Sequence, residues 1–318
     1  MFSFVSPKML REKGILGMNK RNIHYIGRYN ERKNFPLVDN KLKTKQIAQA
    51  AGMAVPSMIG VIRNQSEIPH LKKMLEGVNG FVVKPAQGSA GKGIIVIVRR
   101  EGNDFIKPSG ERLSLQDIQK DISGILSGLY SLGGKYDTAM IETLVEFDPV
   151  FDRYSYEGVP DIRVVVYRGF PAMAMLRCST KESDGKANLH QGAVGVGIDL
   201  ATGRPINAVQ HGHPIDRHPD TGYDFSELQI PHWDRLLPLA ASCYDITNLG
   251  YLGVDMVLDK NLGPLILELN ARPGLAIQIA NRQGELTRFD LIDKQSMDLS
   301  VQERVKFSVE NFSASSFL

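Results

Sequence analysis

The sequence predicts an α+β protein in two lobes. Three observations carry that prediction. In the first half, the apolar runs Gly80–Pro85 and Gly93–Val98 flank a glycine-rich loop. In the second half, Arg163–Tyr167, Ala172–Leu176 and Gly192–Asp199 follow one another as an antiparallel group. Beyond them, Met256–Leu258 and Leu265–Leu269 flank Asp259–Pro264, whose Asp, Asn, Gly and Pro suit a hairpin turn.

The elements read in order as follows. Residues 1–38 are basic and polar, at most a helix and an arm, with Pro36 as a break. Lys41–Ala51 reads as a helix with Leu42, Ile47 and Ala50 apolar, ended by Gly52 and followed by Pro56. Val55–Ile62 reads as a strand and Glu67–Leu75 as a helix. Residues 101–112 read as polar loop, Ser114–Leu129 as a helix and Met140–Phe147 as a strand. Residues 207–232, rich in His, Pro and Asp, read as one long irregular insertion; Trp233–Thr247 reads as a helix leading into the hairpin. The last 20 residues read as a helix and a loose end. The expected divisions are an N-terminal arm at 1–38, a first lobe at 39–140, a second at 141–295 and a tail at 296–318.

Composition fits an enzyme-sized core. The chain has 318 residues and 42% hydrophobic content, and its formal charge of +3 is too small to argue for nucleic acid. Two cysteines, Cys178 and Cys243, are too few for a disulfide framework and fit a reducing compartment. No apolar run approaches the roughly 20 residues of a membrane span, and no signal-peptide core is evident. The expected location is cytoplasmic. Nothing in the chain assigns an oligomeric state.

Two constellations carry chemistry. Glu268 and Asn270 lie two apart on one strand and so share a face, and the hairpin can bring Asp255 alongside. One polar residue there would be an exposed strand position; three hard oxygen donors in apolar strands suit Mg²⁺ when nucleotide phosphates complete its shell. The second is Lys84–Gly93. Glycines 88, 91 and 93 let backbone N–H groups approach phosphate oxygens, and Lys84 ends the apolar run Phe81–Val83, where a charge is costly unless it meets an anion. The spacing is not that of a Walker A loop. The histidines of the insertion (His211, His213, His218, His232) have irregular spacing and no cysteine partners, which argues for a polar loop over zinc.

The ordered set Asn40-Lys41-Leu42-x-Thr44-Lys45, Val82-Val83-Lys84-Pro85, Ile141-Glu142, Asp161-Ile162-Arg163, Asn188-Leu189-His190, Gly253-Val254-Asp255 and Glu268-Leu269-Asn270-Ala271-x-Pro273-Gly274 resembles the ATP-grasp superfamily over about residues 39–290. Within it, the likeness is to alpha-L-glutamate ligases, ribosomal-protein glutamate ligase-like or sugar-transfer-associated. The resemblance implies an ATP-grasp fold, two α+β lobes with ATP between antiparallel sheets. It also implies a short N-terminal arm where such ligases usually carry a full N-terminal domain.

The resemblance further implies residue roles. Lys41 and Lys84 match the lysines on ATP phosphates, and Gly88, Ser89, Gly91, Lys92 and Gly93 the loop closing over them. Glu142 with Thr143, Leu144 and Val145 matches the hinge whose backbone meets adenine, and Asn188 joins the nucleotide set. Asp255, Glu268 and Asn270 match the ligands of two Mg²⁺ ions, for which Mn²⁺ can substitute. Arg163 and Arg177 are candidates for the acyl-phosphate and substrate carboxylate. Arg177 sits one or two positions early, because the ligases carry their basic pair where this chain has Cys178 and Ser179. The implied reaction is ATP-dependent joining of a carboxylate to an amine, adding glutamate or a similar amino acid to a peptide, protein or small-molecule acceptor. An ATP-grasp-shaped kinase and a non-catalytic nucleotide-binding module are the other classes these residues could serve.

Overall fold

The computed structural model describes residues 6–88, 91–131 and 133–314. The chain divides into two compact units. The smaller holds Asp39–Gln46 and Val55–Glu146; the larger holds Ile47–Ala54, the residues up to Val38 and those from Phe147 onward. This differs from the expected boundaries, first in placing Ile47–Ala54 outside the smaller unit. The strand expected at Met140–Phe147 closes the sheet of the smaller unit, so the break falls after Glu146. The N-terminal arm and the C-terminal helix belong to the larger unit.

In the smaller unit, strands β1 (Met58–Ile62), β2 (Phe81–Pro85), β3 (Ile95–Ile97) and β7 (Ala139–Thr143) form an antiparallel sheet in the order β1-β7-β2-β3. Strands β4 (Arg99–Glu101), β5 (Asp104–Ile106) and β6 (Arg112–Leu113) form a second, three-stranded sheet where polar loop was expected. The period was hidden because only Phe105 and Ile106 of this ribbon are buried, while Arg112 bridges Glu101 and Asp104 on its exposed side. We number helices of ten residues or more: α1 is Lys41–Ala50 and α2 is Leu115–Leu126. Ser114 and Asp117 form a reciprocal capping box at the start of α2. Its stripe of Ile118, Ile122 and Ile125 packs on Phe81, Val83, Ile97 and Ile141 as one core. Strand alternation therefore turns Val82, Lys84, Met140 and Glu142 to the opposite face.

The larger unit is built on a seven-stranded antiparallel sheet. Its strands are β8 (Asp161–Tyr167), β9 (Phe170–Cys178), β10 (Val194–Ile198), β11 (Pro205–Gln210), β12 (His213–Ile215), β13 (Tyr251–Asp259) and β14 (Gly263–Asn270), ordered β12-β11-β10-β9-β8-β13-β14. Helices α3 (Trp233–Thr247) and α4 (Val301–Asn311) pack on it. The expected irregular insertion thus contributes sheet: β11 and β12 turn at His211-Gly212, both with positive φ. That conformation suits a two-residue hairpin turn, but His where Asn or Asp is usual conceals it. His218 is fully buried and structural. Its Nδ1 accepts from the Asp220 and Thr221 amides, and its Nε2 faces the Ser179 carbonyl at 3.0 Å.

The N-terminal arm is stapled to this sheet. Asn30, 4% exposed, donates to the carbonyls of Tyr251 and Ala271 and accepts from the Tyr251 amide. Gln278 clamps Leu16 in both directions, at 2.8 and 3.1 Å. Tyr25 packs on Tyr167, Tyr251 and Phe289. At Gly284 a Cβ would lie 2.0 Å from the backbone of Gly14, so only glycine permits the arm's approach. Gly284→Ala should therefore lower unfolding free energy by at least ~2 kcal/mol and expose the arm to proteolysis. Gly17→Ala, with nothing within 4 Å of the new methyl, should do neither. Equal effects in denaturation and limited proteolysis would show that the arm is not fixed at this contact.

Candidate functional site

The predicted residues fall into two clusters, one in each unit. In the smaller unit, register places Lys84 opposite Met140 and Val82 opposite Glu142, so Lys84 and Glu142 are diagonal neighbours on one face. Glu142 forms ion pairs with two ammonium groups, Lys84 Nζ at 2.7 Å and Lys45 Nζ at 2.5 Å, with both lysines buried; Lys45 Nζ also donates to the Pro56 carbonyl at 2.6 Å. Lys84, expected on an ATP phosphate, meets this protein carboxylate. Lys45 went unassigned in the sequence, although it follows Lys41 by one helical turn and so projects along the same side of α1. Burial lowers its pKa to about 8, with Glu142 opposing and Lys84 adding to the fall. Two buried ammonium groups thus share one carboxylate, leaving a net positive site below that pH.

Nearby, Lys41 Nζ donates to the Gly88 carbonyl at 2.7 Å. The loop base is tied down by Asp137, which is 5% exposed and accepts from the Gln87 amide and the Ser131 hydroxyl. Gly91 and Gly93 have positive φ, and a Cβ at Gly93 would strike the Tyr130 ring at 2.5 Å. Lys92 is exposed, and Ser89 lies outside the described residues. In the expected hinge, the Thr143 amide donates to Ser57 O at 2.9 Å and its hydroxyl accepts from the Ser57 amide. Leu144 and Val145 follow, half-buried, past the end of β7.

In the larger unit, a β-bulge determines the arrangement. Asp255 pairs with Glu268 but Met256 pairs with Ile266, so Leu267 is an extra residue. The bulge turns Glu268 and Asn270 to the face of Asp255. Register adds Arg163 opposite Asp255, Asp161 two residues before it, and Arg177 opposite Asp161. All six side chains share one sheet face. Asp255, 4% exposed, receives Arg163 at 2.7 and 2.6 Å, Arg177 at 2.9 Å and Asn270 Nδ2 at 3.2 Å. Arg177 also grips Asp161 with both ends of its fork. Burial pushes the Asp255 carboxyl up, but the two guanidiniums outweigh it and hold the pKa at about 2. Asp161 goes the other way: burial raises it despite Arg177.

Expected as an open metal ligand, Asp255 is here the hub of an ion cluster, because unpaired guanidiniums beside it would be costly to bury. Asp161 carried no expected role; its signal was the i, i+2 spacing to Arg163. Glu268 and Asn270 are half-buried on the same face, and all three donors are oxygen. Among the described residues, no group of three or more His, Cys, Asp or Glu side chains comes together as a metal-holding set. Asn188 stands apart, capping the turn Leu189–Gln191 by accepting the His190 amide at 3.1 Å.

Residues 20–294 match the model of the family described as sugar-transfer associated ATP-grasp. The chain belongs to that family. It is similar to a probable alpha-L-glutamate ligase of Stutzerimonas stutzeri (strain A1501), 23% identical over 237 residues, which are 74% of this chain and 56% of that ligase. The chain thus spans little more than half that relative's length. Among solved structures it is similar to D-cycloserine synthetase DcsG, with a TM-score of 0.48, 14% identity and coverage of 81% and 70% of the two chains. The ATP-grasp ligase PsnB complexed with minimal precursor gives a TM-score of 0.46, 14% identity and coverage of 83% and 62%. Family membership rests on the first match. Among the described residues of this ATP-grasp chain, no helix is long and apolar enough to cross a membrane.

The ion clusters give unequal mutational costs. Lys84→Met leaves Glu142 paired to Lys45 and should cost about 1–3 kcal/mol. Glu142→Gln strands two buried ammonium groups and should cost about 3–5 kcal/mol. Burial has already lowered Lys45, so the unfolded chain binds more protons between about pH 8 and 10.5. Without Glu142, which raises Lys45, the folded variant gives up that proton at lower pH, so the Glu142→Gln deficit should shrink as pH rises to about 8 and hold constant above it, where Lys45 is neutral in both folded proteins. Urea denaturation at pH 7 and 9.5 checks both, and a costlier Lys84→Met would contradict the shared-carboxylate arrangement.

Proposed function

We propose that this protein is an ATP- and Mg²⁺-dependent carboxylate–amine ligase working through an acyl-phosphate. The amino acid joined is glutamate or one like it, and the acceptor a peptide, a protein or a small molecule. One observation carries the reading: two arginines and three oxygen donors stand on a single sheet face, positioned by register and a bulge, in a chain of the ATP-grasp family.

Each cluster has its own part. Lys41 and Lys84, with the glycine loop, bind the phosphates of ATP; Lys45 and Glu142 hold Lys84 in place until a phosphate competes for it. The backbone of Glu142–Val145 meets the adenine. Asp255, Glu268 and Asn270 would hold Mg²⁺, which when bound offsets phosphate charge. Because both oxygens of Asp255 are engaged by guanidiniums, a cation gains them only by exchange with Arg163 or Arg177. The released fork then has an anion to meet: the γ-phosphoryl group or the substrate carboxylate.

In the first step a carboxylate oxygen attacks the γ-phosphorus, and the bond to the β–γ bridging oxygen breaks, releasing ADP. In the second, an amine nitrogen adds to the acyl carbon, gives up a proton, and phosphate leaves. Charge builds on the transferring phosphoryl oxygens, where Arg163 and Arg177 neutralise it. No side-chain nucleophile is required.

Incubation with Mg²⁺-ATP, hydroxylamine and L-glutamate, or each other protein amino acid in turn, should yield ADP, phosphate and a hydroxamate. Glu268→Gln, a nearly isosteric change, should keep the fold and cut ADP formation at least about a hundredfold. A stable phosphorylated product without hydroxamate would make the protein a kinase. Normal turnover in Glu268→Gln would remove the metal role.

A further inference from the structure

A cleft of about 790 Å³ lies in the larger unit between the N-terminal arm and the segment that follows β14. Leu16 and Met18 form one wall, Leu275 and Ile279 the other, with Arg21 and Arg282 at its edge. Its volume falls in the range of small-ligand pockets. Met18 and Ile279 are 64% and 52% exposed, so apolar surface is held open rather than packed.

The charged groups at this cleft are all cationic. Neither Arg21 nor Arg282 has a carboxylate within ion-pairing distance among the described residues. Arg21 bonds only to neutral oxygens, those of Asn22 and the Pro273 carbonyl. The buried acid near Arg21 is Glu285, whose pKa burial pushes up to about 8, so it leaves Arg21 uncompensated at neutral pH. Arg282 is exposed and its backbone is left-handed, at φ 51°. Among the described residues no carboxylate pairs with either guanidinium on this apolar cleft; an amphipathic anion would.

The cleft adjoins the ion cluster. Pro273, whose carbonyl Arg21 holds, packs on Gly253, where a Cβ would meet its ring at 2.8 Å, and Gly253 is the register partner of Asn270. On the other side, Ala280 closes over Gly197 and Leu189 over Gly195, and Gly195 pairs with Arg177. Cleft and ion cluster therefore lie on one face of the seven-stranded sheet.

We infer that this cleft seats a substrate with an apolar body and a carboxylate, the carboxylate gripped by Arg21 and Arg282 and the body by Leu16, Met18, Leu275 and Ile279. That its occupant is a substrate rests on the ligase reading; that it binds such an anion does not. A small aliphatic acid and a peptide C-terminus ending in apolar residues present the same chemistry.

The test is direct binding to the full chain without nucleotide. Octanoate, N-acetyl-leucyl-leucine and octylamine would be titrated by calorimetry, with NMR shifts locating the site. At least one of the two carboxylates should bind and shift Ile279 and Leu275 resonances, and the tighter of them identifies the source. Octylamine should bind at least tenfold more weakly. Arg282→Gln, which removes an exposed and unpaired side chain and so should spare the fold, should weaken carboxylate binding about tenfold or more. Arg282→Glu should reverse the preference towards octylamine. Failure of both carboxylates to bind, equal affinity for acid and amine, or indifference to Arg282 would overturn the inference. Carboxylate binding without any hydroxamate formation would overturn the ligase reading and leave the site standing.

Discussion

The carboxylate of Asp255 sits at 4% exposure in the middle of a sheet, and two guanidiniums make that position tenable. Each side of the arrangement needs the other. Asp255 alone would face the full desolvation cost of a buried anion; Arg163 and Arg177 alone would repel one another across neighbouring strands. Together with Asp161 they form a neutral set of two cations and two anions, aligned by β8, β9 and β13. Strand register is thereby fixed chemically as well as by packing, since a one-residue slip would send these charges to the opposite, apolar face.

The same arrangement is poised for exchange. Every contact Asp255 makes is one that a phosphate, a carboxylate or a divalent cation could take over. The smaller unit repeats the device with the sign reversed: Glu142 is paired with both Lys45 and Lys84. Both clusters are internally compensated or nearly so, which makes the burial of these ionic side chains tenable. The larger sheet's cluster face continues through Tyr167 and Tyr251 into the aromatic packing that holds the N-terminal arm. An arm expected as at most a helix and an extension is thus packed against this sheet.

Much of this was legible in the sequence because charge in an apolar strand is rarely idle. Lys84 after Phe81–Val83, Glu268 within Leu265–Leu269 and Asn270 just after it stood out for that reason, and the hairpin turn was readable from Asp259 and Gly263. Three things were not legible. The bulge at Leu267 follows from no local residue preference, yet without it Leu267 would face Asp255. The partners of Arg163 and Arg177 lie 92 and 78 residues away at Asp255, a pairing that strand order decides. The strands at 205–215 were masked by a His-Gly turn, and those at 99–113 by a ribbon with a single buried pair of residues.

In the folded protein Asp255 is ionised and doubly held by arginine. Carboxyl-carbon NMR of the Asp255 side chain, followed from pH 7 downward, measures this directly. An ordinary aspartate titrates near pH ~3.9. The arginine-held carboxylate should show no titration down to about pH 3, in keeping with a pKa of about 2, and the stability it confers should be lost only as pH falls from about 4 towards 2. A midpoint at or above about 4 would mean that the guanidiniums do not hold Asp255, and the site built around it would fall with that result.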